Sequence, residues 1–190
     1  MLPYLRPALD MLALLTLITG VAYPLAITGL AQLAFPFTAN GSPVSVNGQI
    51  IGSALIGQTW TLDRYFHGRP SAAGNGYDAM ASSGSNLGPT SAKLMERIRA
   101  DIGTLKPEGA SLIPADAVTA SASGLDPDIS PAYAMLQVQR VAKARAIAAD
   151  KIAALVQSSV QGPVGVFGEA RVNVLRLNIG LDRLGADGNG

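Results

Sequence analysis

The feature that most constrains this 190-residue chain is a run of 52 positions, Met11 to Leu62, without a single charged residue. Arg6 and Asp10 are the only charges before it. The other 25 charged residues fall within positions 63–190, about one in five, which is close to the frequency in soluble domains. The chain therefore divides into a front part suited to an apolar environment and a body suited to water.

The front part contains a predicted transmembrane helix over residues 11–37. These 27 positions are almost entirely apolar, and a helix of about 20 apolar residues crosses about 30 Å of hydrocarbon. Residues 1–10 then form a short N-terminal segment on one side of the membrane. The alternative is a cleaved signal peptide, with 29–31 as a weak cleavage site, but the apolar stretch is about twice as long as the usual 7–15-residue signal core.

Gly20, Pro24 and Gly29 interrupt this helix. Such residues are tolerated in lipid where hydroxyl groups or neighbouring helices satisfy the freed backbone groups. Thr19 and Tyr23 are among the residues that offer hydroxyls. We therefore expect the helix to pack against other protein, with its glycines at the contact.

The orientation follows from the basic residues at the two ends of the helix. Arg6 lies before it, and no Lys or Arg follows until Arg64. The positive-inside rule predicts a cytoplasmic N-terminus and an extracytoplasmic main domain. The expected location is the inner (cytoplasmic) membrane.

The predicted fold class is α+β: one transmembrane helix followed by one mixed α/β domain. A Ser-, Pro-, Gly- and Asn-rich surface linker is expected over 38–48, the domain over 49–184, and a frayed, disordered tail over 185–190. Residue patterns predict strands over 49–56 and 117–123, and turn or strand over 162–168. One helix is predicted to start at Ser91 and to end at Gly103 and Pro107, and two more are predicted over 131–146 and 149–158. Residues 172–184 fit a helix or a strand, and a helix is favoured.

Projection of the 131–146 helix at 100° per residue separates an apolar arc from a polar remainder. Ser130 is its predicted N-cap, with Pro131 at the first helical position. Basic side chains outside the arc are predicted to form a solvated face. The arc contains Ala134, Met135, Val138, Val141 and Ala142, and the residues outside it include Gln137, Gln139, Arg140, Lys143 and Arg145.

Composition excludes several kinds of chemistry. There is no cysteine and only one histidine, so thiolate sites and multi-histidine metal centres are excluded. A net charge of +1 argues against nucleic-acid binding. The chain has neither the phosphate-binding pattern G-x-x-x-x-G-K-[ST] nor the D-K-T-G-T signature of P-type pumps. We expect no catalytic residue, no metal site and no cofactor of its own, and the sequence assigns no cofactor-binding residue.

Two weaker constellations have simpler explanations. His67 lies near a Ser-rich loop, but no nucleophile elbow or orienting acid accompanies it, which argues against a catalytic triad. Asp126 and Asp128 flank Pro127, an arrangement typical of a turn before a helix N-terminus rather than of an acid–base pair.

Five sequence motifs, which occur in the same order along the chain and match no catalytic or binding pattern considered above, resemble those of one family. The chain, from about residue 8 to 184, is similar to the C subunit of the Kdp potassium-transporting ATPase. Asp128 departs from the histidine expected there in many relatives, so a catalytic role at that position is not expected. The motifs are F-x-G-R-P-S at 66–71, S-S-G-S-N-L-G-P-T at 82–90, G-L-D-P-D-I-S-P at 124–131, Q-R-V-A-x-A-R at 139–145 and V-N-V-L-x-L-N at 172–178.

The resemblance implies a non-catalytic accessory subunit of an ATP-driven potassium uptake complex, needed for assembly. Its implied partners are a channel-like potassium-translocating subunit, a P-type ATPase subunit, a small stabilising subunit and membrane lipid, with ATP and potassium acting at the level of the complex. Two roles are implied as alternatives: raising the ATP affinity of the ATPase subunit, or covering the ion entrance of the channel-like subunit. The candidate partner-binding residues are Gly20, Tyr23, Pro24, Phe66, Gly68, Arg69, Pro70, Ser71, Ser85, Asn86, Asp126, Pro127 and Arg140.

A second hypothesis of a different class stays open at this point. The domain could instead be an independent exported ligand-binding protein or hydrolase on a membrane anchor. It would then use the same Ser/Gly-rich loop for a small ligand and keep its activity without partners.

Overall fold

The computed structural model describes the backbone of residues 2–105, 112–163 and 167–187. The chain divides into two compact units, residues 1–51 and 52–190, and each is described by itself. The described residues contain both helix and sheet, as the sequence predicts.

The first unit is built around one long helix. It consists of an α-helical part α1 (Leu2–Leu15), a π-helical part (Thr16–Ala22) and a second α-helical part α2 (Tyr23–Ala34). The stretch Tyr4–Ala34 has 31 residues and contains an 18-residue window with a mean hydropathy of 1.9, so it is long and apolar enough to cross a membrane. None of its side chains is buried, as expected if lipid or other protein surrounds them.

The π-helical part lies immediately before Pro24, which has no N–H and disturbs the helix that precedes it. The Tyr23 N–H donates to the Ile18 carbonyl, five residues back. The Thr19 hydroxyl donates to the Leu15 carbonyl at 2.7 Å, so it supplies a backbone hydrogen bond as the sequence predicts.

The long helix ends at Ala34, three residues before the predicted boundary. Phe35 has left the helical region (φ −140°) because the following Pro36 disfavours a helical conformation. One short helix, α3 (Pro36–Ala39), and a β-hairpin follow. The hairpin strands are β1 (Pro43–Val46) and β2 (Gln49–Ser53).

The hairpin turn is Asn47-Gly48, with φ values of 52° and 80°. Positive φ at both central residues is the type I′ geometry that joins twisted antiparallel strands, and Asn-Gly adopts it readily. Strand β1 and this turn therefore lie within 38–48, the stretch predicted to be a surface linker.

The second unit packs four helices around a small antiparallel sheet. The sheet order is β3-β5-β4, with Ile129 and Val160 both paired to Val172 of the central strand. The helices α5, α6 and α7 contribute most of the buried apolar side chains. The elements are α4 (Ala92–Leu105), β3 (Asp128–Ile129), α5 (Pro131–Arg145), α6 (Ala149–Ser158), β4 (Val160–Gln161), β5 (Arg171–Asn173) and α7 (Val174–Asp187), with single 3₁₀ turns at Ala79–Ala81 and Ala115–Ala117.

Several predicted elements need correction. No strand forms over 117–123, where a 3₁₀ turn is followed by irregular chain. The segment 172–184, for which helix and strand were both considered, begins in strand and continues as helix, since β5 ends at Asn173 and α7 begins at the next residue. The helix α4 passes through Gly103 to Leu105, and α7 includes 185–187 of the expected tail. Pro107, 164–166 and 188–190 lie outside the described residues.

The ends of α5 agree with the sequence, but its faces agree only in part. Ser130 accepts a hydrogen bond from the Tyr133 N–H, and Ala146 ends the helix in a left-handed conformation. Met135, inside the predicted apolar arc, is 40% exposed, whereas Gln137, outside that arc, is 1% exposed. Gln137 can be buried because its amide has polar partners inside the domain.

Candidate functional site

Seven of the candidate residues lie on one irregular segment, residues 54–91, whose only helical turn is the 3₁₀ turn at 79–81. This segment packs along the turn that precedes α5. The Gly57 N–H donates to the Leu125 carbonyl at 2.8 Å, and the Ser83 N–H donates to the Ser123 carbonyl at 3.0 Å. The structure thus brings this segment against residues 123–125, which lie 40 and 68 positions further along the chain than their partners.

An ion pair joins the segment to this turn. A terminal guanidinium nitrogen of Arg69 lies 2.7 Å from the Asp126 carboxylate, and both side chains are about three-quarters buried. The guanidinium also donates to the Thr119 carbonyl at 3.4 Å. The second Asp126 oxygen accepts the Asp128 N–H at 3.0 Å, which forms the aspartate turn that the sequence predicts.

Ser71 connects the same two pieces through its hydroxyl group. The hydroxyl donates to the Gly124 carbonyl at 2.6 Å and accepts the Tyr77 N–H at 2.8 Å. Its oxygen is thereby committed to backbone partners, which argues against a role as a nucleophile.

Tyr77 fills the space between the irregular segment and the turn. Its phenol donates to the Arg69 carbonyl at 2.8 Å. Side chains at Gly68 or Gly57 would collide with its ring, so glycine is required there by packing. Burial, reinforced by the negative charge of Asp126, raises the pKa of Tyr77 to about 12.

Three buried amides hold the backbone of the segment. Asn178 accepts the Phe66 N–H at 2.8 Å and donates to the Phe66 carbonyl at 3.0 Å. Gln137 makes the equivalent pair with His67, at 2.7 and 3.1 Å. Asn173 donates to the Ala54 carbonyl at 3.0 Å, and its oxygen accepts the Arg176 N–H at the start of α7, the capping role its sequence position suggests.

Two arginines of α5 fix the chain just before Phe66. Arg140 donates to the carbonyls of Asp63 and Tyr65 at 2.6 and 3.0 Å. Arg145 donates to the Arg64 carbonyl and pairs with Asp182, both at 2.7 Å, and its side chain is only 5% exposed. The expectation of a solvated basic face was therefore wrong for these two residues, although Lys143 is exposed.

His67 has a structural environment rather than that of a general base. Its Nε2 lies 3.1 Å from the Leu62 carbonyl, which can only accept, so this nitrogen carries the hydrogen. Burial, with the positive charge of Arg140 nearby, lowers the pKa of His67. The histidine is thus neutral near pH 7 and bound to backbone.

The candidate residues differ in what they present to a partner. Phe66 is fully buried and belongs to the core. Asn86, in a left-handed conformation, is exposed, and Ser85, Pro70 and Pro127 are half-buried. In the first unit, Tyr23 is exposed, and a side chain at Gly20 would meet only Thr16 of its own helix.

A cavity of about 480 Å³ lies beside the Arg69–Asp126 pair. Of its charged walls, Asp128 pairs with Arg171 at 3.1 Å, while Asp116 accepts the Ser130 N–H and hydroxyl at 2.7 and 2.9 Å. Within residues 2–105, 112–163 and 167–187, no group of three His, Asp or Glu side chains is arranged to hold a metal ion.

Comparison with known proteins gives consistent matches over nearly the whole chain. The family model described as KdpC: K+-transporting ATPase, c chain, matches residues 5–183. A protein of Gemmatimonas aurantiaca named potassium-transporting ATPase KdpC subunit is 58% identical, over 98% of this chain and 96% of its own length. Proteins of the same name from Caulobacter vibrioides (55% identical, 96% and 94% covered) and Bradyrhizobium diazoefficiens (52% identical, 98% and 100% covered) are similar in length and sequence.

Proposed function

The chain belongs to the KdpC family, the c chains of K+-transporting ATPases, and we propose that it is a non-catalytic accessory subunit that assembles and caps such a complex. In this proposal the long apolar helix anchors the chain in the inner membrane with its N-terminus in the cytoplasm. The second unit is extracytoplasmic and lies over the ion entrance of the channel-like subunit. The P-type ATPase subunit and a small stabilising subunit complete the complex.

The observation that carries the proposal is the surface of the long helix. No side chain of Tyr4–Ala34 is buried; a side chain at Gly29 would meet open space, and one at Gly20 would meet only Thr16 of its own helix. Nothing within the described chain requires glycine at these two positions. Close approach of another transmembrane helix does require small residues, because it brings the two backbones together.

Between the two roles implied for such a subunit, the topology favours the ion entrance. By the positive-inside rule, Arg6 supports a cytoplasmic N-terminus, and a domain after a single crossing would then lie on the side away from ATP. Any effect on the ATP affinity of the ATPase subunit would then pass through the membrane helix, which requires two states that both sites influence.

Co-purification tests the assembly role. Gly20→Leu should leave the second unit folded but reduce recovery of the partner subunits and potassium uptake, since the larger side chain separates the helices. Leu17→Ile, on the same exposed helix, is the matched control and should change neither. Normal recovery and uptake with Gly20→Leu would count against packing through this face.

A topology reporter fused after Gly190 tests the orientation. Activity of an extracytoplasmic reporter such as alkaline phosphatase is expected, and activity of only a cytoplasmic reporter would overturn the entrance-covering role. If the purified chain alone binds a small ligand or hydrolyses esters, the independent binding or hydrolase function is favoured instead.

A further inference from the structure

The segment that leaves the membrane helix is unusual because it stays uncharged after the helix has ended. The helix ends at Ala34, yet the next 28 residues, up to Leu62, carry no charge. At the frequency of about one in five found in the rest of the chain, five or six charges would be expected there. This absence indicates that the segment lies in surroundings where ionised side chains are unfavourable.

The first part of this segment, residues 35–51, belongs to the same compact unit as the helix. Its position is fixed by local hydrogen bonds. The Gln32 and Asn40 side chains exchange hydrogen bonds at 3.2 and 3.3 Å, and the Ser42 N–H donates to the Phe37 carbonyl at 3.0 Å. The hairpin therefore follows the long helix through α3 and a hydrogen-bonded turn.

Large apolar side chains on this segment are exposed. Phe35 and Phe37, just beyond the last turn of the helix, are 68% and 53% exposed, and Ile50 of β2 is 71% exposed. Aromatic residues at the end of a membrane-spanning helix are typical of the headgroup region. The two strands pair with each other, which satisfies the backbone groups that face the partner strand. The groups on the two outer edges still need polar partners, which the headgroup region supplies and the hydrocarbon core does not.

We propose that residues 35–51 form an interfacial collar, which lies in the headgroup–acyl boundary of the leaflet at the carboxyl end of the helix, with Phe35, Phe37 and Ile50 in contact with lipid. This rests on the membrane anchoring in the proposed function. Continuity with the membrane-spanning helix, whose end places this segment at the lipid boundary, favours lipid over a partner protein as the occupant. Because the collar has no charge, its binding should not depend on anionic lipid or on salt.

Spin labelling tests the collar directly, because the natural chain has no cysteine. Single substitutions Ile18→Cys, Ile50→Cys and Met80→Cys carry a nitroxide in the complex reconstituted into phosphatidylcholine vesicles. Ile18 reports on the middle of the helix, and Met80, 96% exposed in the second unit, is the aqueous control. Collisions with oxygen report lipid, and collisions with a water-soluble nickel chelate report water.

The collar predicts that the label at position 50 favours oxygen over nickel relative to position 80, at a depth shallower than position 18. Addition of phosphatidylserine should leave this ratio unchanged. A label at 50 as accessible to nickel as at 80, or shielded from both reagents by a partner subunit, overturns the collar. If position 18 also reports water, the anchoring itself fails, which separates failure of the proposed function from failure of the collar.

Discussion

Replacing Asn178 by leucine should release the irregular segment from the domain. The amide of Asn178 satisfies both the N–H and the carbonyl of Phe66, and both the amide and Phe66 are fully buried. Leucine has nearly the same size but leaves both backbone groups unpaired in the core. Each unpaired buried group costs about 1–3 kcal/mol, so the free energy of unfolding should fall by about 2–6 kcal/mol. That is a large part of the 5–15 kcal/mol typical of a domain.

The chain contains its own reporter for this release. Trp60, the only tryptophan, packs against Tyr65 on the same segment, with ring centroids 4.8 Å apart and ring planes tilted by 50°. We expect the emission of Asn178→Leu to shift toward that of a solvated tryptophan at lower urea concentration than in the parent chain. The measurement uses the full chain in a mild detergent, with circular dichroism of the helices recorded in parallel.

The matched control is Asn75→Leu, the same substitution at an exposed position of the same segment, for which a change within about 0.5 kcal/mol is expected. An Asn178→Leu chain that loses less than about 1 kcal/mol, with Trp60 emission unchanged, would refute the reasoning. It would show that the segment is held by other contacts and that the amide is dispensable.

Three further predictions follow from the site. Arg69→Glu should destabilise the domain by about 1–3 kcal/mol, because it places a second carboxylate beside Asp126, and the charge-swapped double variant should regain most of this in urea unfolding. Since the folded pKa of Tyr77 is about 12 against 10 unfolded, stability should fall as pH rises from 10 to 12, and Tyr77→Phe should abolish that part of the pH dependence. Because the pKa of His67 is lowered in the folded domain, its contribution to stability should be fully present above pH 6.5 and lost as the pH falls below that value. Proton NMR of this single imidazole should show titration below 6.5, and titration at 6.5 or above would contradict the prediction.

The sequence was most informative where a local pattern determines the structure. The charge-free run predicts the long helix, Ser130-Pro131 predicts the start of α5, and the 149–158 helix is predicted to the residue. The Asn47-Gly48 dipeptide is also a local signal, because it favours a two-residue hairpin turn. A prediction based on the composition of the surrounding residues does not contain this information.

The roles of Gln137, Arg140 and Arg145 depend on contacts 70 or more residues away, and no local pattern contains them. A helical projection assigns a polar residue to solvent because water is the commonest partner of polar groups. Here the partner is the backbone of an irregular segment, which needs hydrogen bonds that it cannot make within itself. The recurrence of amides and arginines in the family motifs was visible in the sequence, but their target was not.

These contacts change how the candidate partner-binding residues should be tested. Arg69, Asp126, Ser71 and Arg140 all hold the domain together, so loss of transport after their substitution would not by itself indicate contact with another subunit. Charge reversal of Arg69 is a test of folding before it is a test of assembly. Contact is better tested at exposed positions that do not support the fold. Asn86 is exposed, but its left-handed backbone means that the substitution should be glycine, which keeps the conformation while it removes the side chain. A chain with Asn86→Gly that folds normally and fails to assemble would place the loop at a subunit interface.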